Sequence, residues 1–357
     1  MVNRITAVET GLTIGLDLGD RRSQVCVTDS AGEVRQRAEL STSRTALEKY
    51  FGPLPPSVVA LEVGTHSPWV SRLLSSLGHR VLVANPRRVR LIYQSQSKCD
   101  RVDAESLARL ARVDPRLLSP IQHRSPQRQM HLAQLRARDA LVKTRTSLVN
   151  HVRGSVKAVG GRLPKCSTSS FSNKVGAHLP EELAGALKGV LTLIAGLTDE
   201  IRQIERNLGE IARKHYPDVA LVMQPKGVGL IAGLRFTLTL EDPGRFRRNR
   251  AVGGFIGLTP GRDQSGSTDR QKHITKAGDP ALRWTLIQCS QYILGRFGPD
   301  SDLKRYGLKL CARGGKSAKK RALVAVARRL AVLMLSLWKT GEVYEPLRHA
   351  QAVTVTA

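Results

Sequence analysis

Aromatic residues, cysteine motifs and long apolar runs are scarce in this 357-residue sequence. Phe, Trp and Tyr make up only 4% of the chain, so base stacking on aromatic platforms is expected to be minor. The five cysteines form no CxxC pair, which argues against structural zinc and disulfides. No run approaches the ~18 apolar residues of a membrane-spanning helix, and the N-terminus lacks a signal-peptide pattern. We therefore expect a reduced, cytoplasmic protein.

Acidic residues are also few relative to basic ones. Lys and Arg number 57 against 29 Asp and Glu, a net charge of +28. The excess is +5 over residues 1–120, +9 over 121–216 and +14 over 217–357. A charge of this size repels itself unless a polyanion offsets it, and nucleic acid is the usual polyanion. A solubilising basic surface and an anionic membrane remain as alternatives.

Hydrophobic patterning predicts an α/β domain over residues 1–120. Short apolar or alternating runs indicate strands, whereas apolar residues that recur every three to four positions indicate helices. The predicted order is β-β-β-α-β-α-β followed by a helix. The predicted strands are 12–18, 23–28, 33–40, 58–63 and 80–84, and the predicted helices are 43–51, 67–78 and 102–113.

The rest of the chain is predicted to be mostly helical. Residues 121–216 contain two long helices, 125–157 and 181–214, and the second has nearly heptad spacing. That spacing is typical of a coiled-coil hairpin or a dimer seam, so this region is expected to link domains and mediate oligomerisation. Residues 217–357 are expected to form a second compact, mostly helical domain.

Four acidic residues are candidates for a metal site. Asp17 and Glu62 each stand near the end of an apolar strand, and Asp100 and Asp103 share one face of a helix start. Carboxylate oxygens suit hard cations such as Mg²⁺ or Mn²⁺, and paired metals support phosphodiester cleavage. On spacing alone, acids that cap turns or lie in a solvated surface turn remain an open interpretation.

The order of these elements resembles the RNase H-like nucleases of the Holliday-junction-resolvase type. More specifically, the sequence resembles bacterial insertion-sequence transposases of the DEDD type, whose members are guided by a bridge RNA. Three motifs carry the resemblance: Gly15-Leu16-Asp17, Ala60-Leu61-Glu62 and Lys98-Cys99-Asp100-Arg101-Val102-Asp103-Ala104. The last motif usually has Thr where Cys99 stands, a departure that leaves both acids intact.

A second set of motifs in the C-terminal half is similar to the same family's transposase domain. Lys226 stands where Gly is common. The matching residues are Pro225-Lys226-Gly227-Val228-Gly229, Phe246, Gly257-Leu258-Thr259-Pro260, Ser265-Gly266, Ile274-Thr275-Lys276-Ala277-Gly278-Asp279 and Leu282-Arg283.

The resemblance implies a role for Ser265, which matches a family serine inferred to attack DNA and form a covalent phosphoserine link. An alignment that places Ser267 at the position of the family serine is less favoured. Residues 260–276 are predicted to form a polar loop, in which nearby cations would stabilise charge on a phosphate. These basic residues are Arg262, Arg270, Lys272, His273 and Lys276.

Three further features are candidate nucleic-acid contacts. The turn at Gly227 and Gly229 can present backbone N–H groups to phosphate, or it is a tight turn only. Asp279 and Pro280 are predicted to start a helix, with Arg283 placed to face phosphate. Residues 313–329 either grip a nucleic-acid backbone or form one solvated face; their cations include Lys316, Lys319 and Lys320.

The resemblance also implies donor and target DNA, a noncoding guide RNA and a homo-oligomer (dimer or tetramer) as partners. Two enzyme classes remain as alternatives. One is a structure-selective nuclease that uses the carboxylates without serine chemistry. The other is an actin-like ATPase or sugar kinase, whose first phosphate loop resembles Gly15-Leu16-Asp17-Leu18-Gly19-Asp20. A nucleic-acid-binding scaffold without chemistry is the third alternative.

Overall fold

The computed structural model describes residues 11–89, 100–265 and 268–348. The chain divides into two compact units, residues 1–124 and 125–357. The first unit is built on a β-sheet, and the second is mostly helical. This confirms the predicted α/β plus α fold.

The first unit contains a five-stranded mixed sheet in the order β3-β2-β1-β4-β5. Strands β1, β2 and β3 pair antiparallel, whereas β4 pairs parallel with both β1 and β5. This topology agrees with the RNase H-like sheet that the sequence predicts. The strands are β1 (Thr13–Leu18), β2 (Arg22–Thr28), β3 (Val34–Ser41), β4 (Val58–Glu62) and β5 (Arg80–Ala84).

Helices cover both faces of this sheet, because side chains along a strand alternate between its faces. Ile14 and Leu16 of β1 belong to the apolar core on one face. Ala60 of β4 belongs to a second core on the other face, together with Leu107 and Ala111 of the last helix. The helices of this unit are α1 (Arg44–Phe51), α2 (Ser67–Ser76), α3 (Pro86–Val89) and α4 (Asp100–Val113).

The second unit begins with a hairpin of two long helices, α5 (Pro126–Ala158) and α7 (Glu181–His215), with the short helix α6 (Phe171–Val175) in the connection. Arg138 bonds Glu205 at 2.6 Å, and seven residues further on Arg145 bonds Thr198 at 3.3 Å. An increase of seven in residue number along α5 thus corresponds to a decrease of seven along α7. The pairing is therefore antiparallel with the heptad spacing that the sequence indicates.

The remainder of the second unit packs around the last helix, whose buried face includes Leu330 and Met334. The segment predicted as a loop over 260–276 is instead a two-stranded antiparallel ribbon. Polar residues on both of its faces conceal the alternation by which a strand is usually recognised. These elements are α8 (Val219–Val222), α9 (Leu230–Leu240), α10 (Ala251–Ile256), β6 (Pro260–Ser265), β7 (Thr268–Ile274), α11 (Pro280–Leu294), α12 (Asp302–Cys311) and α13 (Ala318–Thr340).

Candidate functional site

Asp17 and Glu62 occupy neighbouring positions at the carboxyl ends of two parallel strands. The register of β1 and β4 pairs Leu16 with Leu61, so the next residue on each strand is one of the two acids. Residues at paired positions point to the same face of a sheet. Both acids are half-buried. The sheet therefore presents two carboxylates side by side, on the face that α4 covers.

Helix α4 approaches this face at a glycine. A Cβ atom on Gly15 would lie 1.8 Å from the carbonyl oxygen of Ala104 and 2.8 Å from the amide nitrogen of Ala108. No side chain larger than hydrogen fits there. Gly15 lies two residues before Asp17, on the same face of β1, and Asp103 immediately precedes Ala104. The close contact thus brings the start of α4, with half-buried Asp103, over the face that carries the two strand acids.

The fourth predicted acid, Asp100, is the first residue of α4, but its side chain lies outside the described residues. Among the side chains that the structure does describe, no group of three His, Cys, Asp or Glu is arranged to hold a metal ion. The donor chemistry nevertheless fits a hard divalent cation, because paired carboxylates supply oxygen ligands. The role of Asp17, Glu62, Asp100 and Asp103 as ligands stays a prediction.

A further acid next to these residues, Glu105, is held by arginines. It accepts from Arg37 at 2.5 Å and from Arg109 at 2.8 Å. These two hydrogen bonds hold the pKa of the Glu105 carboxyl below its ordinary value. Cys26 is buried in β2; burial, followed by the charge of Glu105, raises the pKa of its thiol. Glu105 is therefore an ionised carboxylate held by two arginines. The spacing of acidic residues in the sequence does not distinguish it from the predicted metal ligands.

Ser265 is the last residue of β6. It is exposed and pairs across the ribbon with Thr268. The strand register places Arg270 and Lys272 on the same face as Ser265. Lys272 pairs with Asp263 at 2.6 Å. The candidate nucleophile therefore lies beside cations at the tip of an exposed ribbon.

On the opposite face of the ribbon, Arg262 makes a two-pronged contact with Asp269, at 2.8 and 2.5 Å. This contact raises the pKa of the Arg262 guanidinium and lowers that of the Asp269 carboxyl. Arg262 and Lys272, both predicted nucleic-acid contacts, thus each have an acidic partner within the ribbon. Those partners reduce the net positive charge of the ribbon.

The base of the ribbon is fixed by glycines and by Arg283. Gly257 has a φ of +77°, and a Cβ atom there would lie 2.2 Å from the amide nitrogen of Ala277. The Arg283 Nη1 donates to the carbonyl of Ile256 at 3.0 Å, to that of Gly278 at 3.1 Å and to that of Ala277. Arg283 therefore braces the base of the ribbon, and its predicted contact with phosphate stays a prediction.

The predicted helix starts are present. Gly229 is the N-cap of α9, and Gly227 before it has a φ of +103°. Asp279 caps α11, with its carboxylate accepting from the Leu282 amide at 2.9 Å. Lys316, Lys319 and Lys320 are exposed around the start of α13, whose first turn contains no acidic residue. Cations are unfavourable at the positive end of a helix dipole, so this arrangement suits binding of an anion better than stability of the helix.

One exposed aromatic residue near these cations is not among the nucleic-acid contacts predicted from the sequence. Trp284 on α11 is 63% exposed and lines a groove together with Lys276, Arg283 and Lys320. The structure thus brings together three cations that the sequence predicts separately. The position of Trp284 directly after Arg283 could have indicated a base contact. The low overall content of aromatic residues instead favoured the expectation that base stacking is minor.

Comparison with known proteins supports both sets of motifs. A family model described as "Transposase IS116/IS110/IS902 family" matches residues 219–307. A second model, described as a transposase of the DEDD type, matches residues 14–159. The first match contains the ribbon, and the second contains the four predicted acids.

Curated relatives agree with these matches. The transposase for insertion sequence element IS1111A of Coxiella burnetii is 28% identical over 93% of this chain and 90% of its own length. A probable family 20 transposase of Pseudomonas aeruginosa is 28% identical over 79% and 83%. The transposase for insertion sequence element IS1328 of Yersinia enterocolitica is 28% identical over 79% and 84%.

Fold, motifs and relatives together define the class, a DNA transposase with an α/β domain and a helical domain. The chain belongs to the insertion-sequence transposases of the DEDD type, in the IS110/IS116 family. Membership implies DNA substrates and dependence on a divalent metal ion. Within the described residues, no helix is long and apolar enough to cross a membrane.

Proposed function

We propose that this transposase cuts and rejoins DNA by a composite chemistry, in which Asp17, Glu62, Asp100 and Asp103 hold Mg²⁺ or Mn²⁺ and Ser265 is the nucleophile. The observation that carries the proposal is the neighbouring register of Asp17 and Glu62 under the start of α4. A bound divalent cation would neutralise charge that develops on the phosphate oxygens. The four carboxylates would hold the cation that orients the scissile phosphate, and Arg270 adds positive charge on the face of the ribbon that carries Ser265.

The serine step conserves phosphodiester bonds. The Ser265 oxygen forms a bond to phosphorus while the bond from phosphorus to one deoxyribose oxygen breaks. The serine proton passes to solvent, and the leaving sugar oxygen takes up a proton. Reversal with a different strand end rejoins DNA and regenerates the hydroxyl, so no external energy source is needed.

We further propose three functional regions: a DEDD catalytic domain (1–120), a helical coiled-coil region for oligomerisation (121–216) and a C-terminal transposase domain with the serine (217–357). A homo-oligomer would allow Ser265 of one copy to meet the carboxylates of another. A noncoding guide RNA would share the basic surface with DNA. Sequencing the nucleic acid that co-purifies with the chain tests the guide, and recovery of no discrete RNA removes that part.

The chemistry is tested with two variants, Asp17→Asn and Ser265→Ala, incubated with terminal DNA of the element and Mg²⁺. Denaturing gels reveal a covalent protein–DNA adduct. We expect the wild-type chain to form an adduct that disappears on chelation of the metal, and neither variant to form it.

Ser267→Ala is the control, because it removes a second hydroxyl two residues away and should retain the adduct. An adduct that persists in Ser265→Ala but disappears in Ser267→Ala moves the nucleophile to Ser267. Metal-dependent cleavage without any adduct in the wild type replaces the serine mechanism with the resolvase-like alternative.

A further inference from the structure

A groove in the second unit has apolar walls and a cationic rim. Its cavity volume is about 430 Å³, within the ~300–1,000 Å³ range of ligand sites. The walls include Ile287 of α11 and Leu323 of α13. Among the described residues that line it, three are cationic (Lys276, Arg283 and Lys320) and none is acidic. An occupant that suits both walls and rim has a flat apolar body and carries negative charge.

Trp284 supplies the aromatic surface of this groove. It is 63% exposed although it stands on a helix whose other face is fully packed. Ile287 and Gln291 follow it by three and seven residues, so all three lie on one side of α11. Gln291 therefore adds an amide donor and acceptor along the same wall. An exposed Trp, an adjacent apolar wall and a glutamine amide match the stacking face and polar edge of a nucleobase.

The groove lies at the base of the ribbon that carries Ser265. Ile274 ends β7, and Lys276 follows it by two residues; both line the groove. The six residues of β6 extend roughly 17–20 Å at ~3.4 Å per residue. For a strand that keeps the stacked rise of about 3.4 Å per nucleotide, that length corresponds to about five nucleotides between the base of the ribbon and its tip.

We propose that this groove binds one unpaired nucleobase of the nucleic-acid substrate, stacked on Trp284, with its phosphates on Lys276 and Lys320. The inference rests on the proposed nucleic-acid chemistry and adds to it a fixed point about five nucleotides from the phosphate at Ser265. The base can belong to a displaced DNA strand or to RNA, since both present the same flat face.

The test measures binding of the full chain to short single-stranded DNA and RNA of one mixed sequence. Intrinsic tryptophan fluorescence and salt titration are the two readouts. Trp284→Ala should weaken binding about 5- to 150-fold, the range for removal of one base stack, without changing the salt dependence. Lys320→Gln should instead reduce the slope of log affinity against log salt by about 0.7.

Two variants keep the test sharp. Trp284→Phe retains a stacking ring and should retain most of the affinity, while losing the fluorescence quenching caused by the bound base. Phe297→Ala removes another aromatic residue of the same unit, 70% exposed and outside the groove, and should bind as the wild type does. Thermal unfolding of each variant checks that the fold persists.

Equal weakening in the DNA and RNA arms supports a site for the base itself, and weakening in one arm alone supports the site and identifies its source. Unchanged binding by Trp284→Ala, with the wild type still bound, overturns the groove as a base site and leaves the proposed function intact. A wild-type chain that binds neither probe nor duplex DNA overturns the proposed function as well.

Discussion

Gly15 determines how close helix α4 comes to the sheet that carries Asp17. In the middle of a strand, glycine is ordinarily unfavourable, because it loses backbone entropy and packs no side chain. Here a hydrogen atom is all that fits beneath the carbonyl of Ala104. The cost of the glycine is offset by the approach of the helix, which brings the start of α4 against the face of the sheet that carries Asp17 and Glu62.

Gly15→Ala is expected to displace α4. The added methyl group would overlap Ala104, and overpacking of this kind costs about 1–3 kcal/mol. A displacement of about 1 Å can reduce catalysis by roughly 100-fold, so cleavage should fall at least that much. Urea unfolding and a cleavage assay measure the two effects.

Gly154→Ala is the corresponding control. Gly154 stands in helix α5, with nothing within 4 Å of an added Cβ atom, and the change should stabilise the chain by about 0.5–1 kcal/mol. Equal behaviour of the two variants would contradict the role given to Gly15.

At the scale of elements, the sequence predicts the strands and helices whose buried faces produce a regular apolar pattern. Strands β1 and β4 are apolar because both faces of the sheet are covered, and α7 has a heptad stripe because one face packs on α5. The ribbon β6–β7 escapes prediction because nearly all of its described side chains are exposed, so neither face carries an apolar pattern. The positions of Asp17 and Glu62 at strand ends are legible in the sequence, but the register that makes them neighbours depends on pairing between distant segments.

Arg145 is an exception within the α5–α7 hairpin. Its side chain is buried, and burial lowers the pKa of its guanidinium. Its Nη1 donates to Thr198, while its Nε has no hydrogen-bond partner within the described part of the chain. A buried donor without a partner costs about 1–3 kcal/mol. The hairpin is therefore less stable than its heptad pattern allows.

Arg145→Met is expected to raise the free energy of unfolding by about 1–3 kcal/mol, because it removes that cost and keeps a straight side chain of good helix propensity. Chemical denaturation measures the change. Arg136→Met, at an exposed position of the same helix, should lie within about 0.5 kcal/mol of the wild type. A loss of stability in Arg145→Met alone would mean that the charge has a stabilising partner, such as a second copy of the chain.

At the scale of the whole molecule, the charge of +28 is an electrostatic property that the fold distributes unevenly. Some cations are paired internally, as Arg262 is with Asp269. Others are exposed around the start of α13. The count of charges predicts a polyanionic partner, whereas only the structure shows which cations have an acidic partner within the ribbon and which are exposed around the start of α13.

Affinity for DNA is expected to depend steeply on salt. With ~6–10 phosphate contacts, binding should weaken about 10³–10⁵-fold between 50 and 200 mM salt. Replacing Lys316 and Lys319 by Gln should reduce the slope of log affinity against log salt by about 0.9 for each phosphate that is no longer neutralised. Fluorescence anisotropy with duplex DNA measures the slope. A double variant with the wild-type slope would show that the start of α13 does not contact the backbone.

The direction in which Ser265 points depends on whether an even or an odd number of residues precedes it in β6. Successive residues of a strand point to opposite faces, so one residue inserted into β6 would turn the serine away from Arg270 and toward the face of Arg262. Two residues inserted there, matched by two in β7, would restore its orientation and lengthen the ribbon by roughly 7 Å. The reach of the serine can therefore change only in steps of two residues, about the length of two nucleotides.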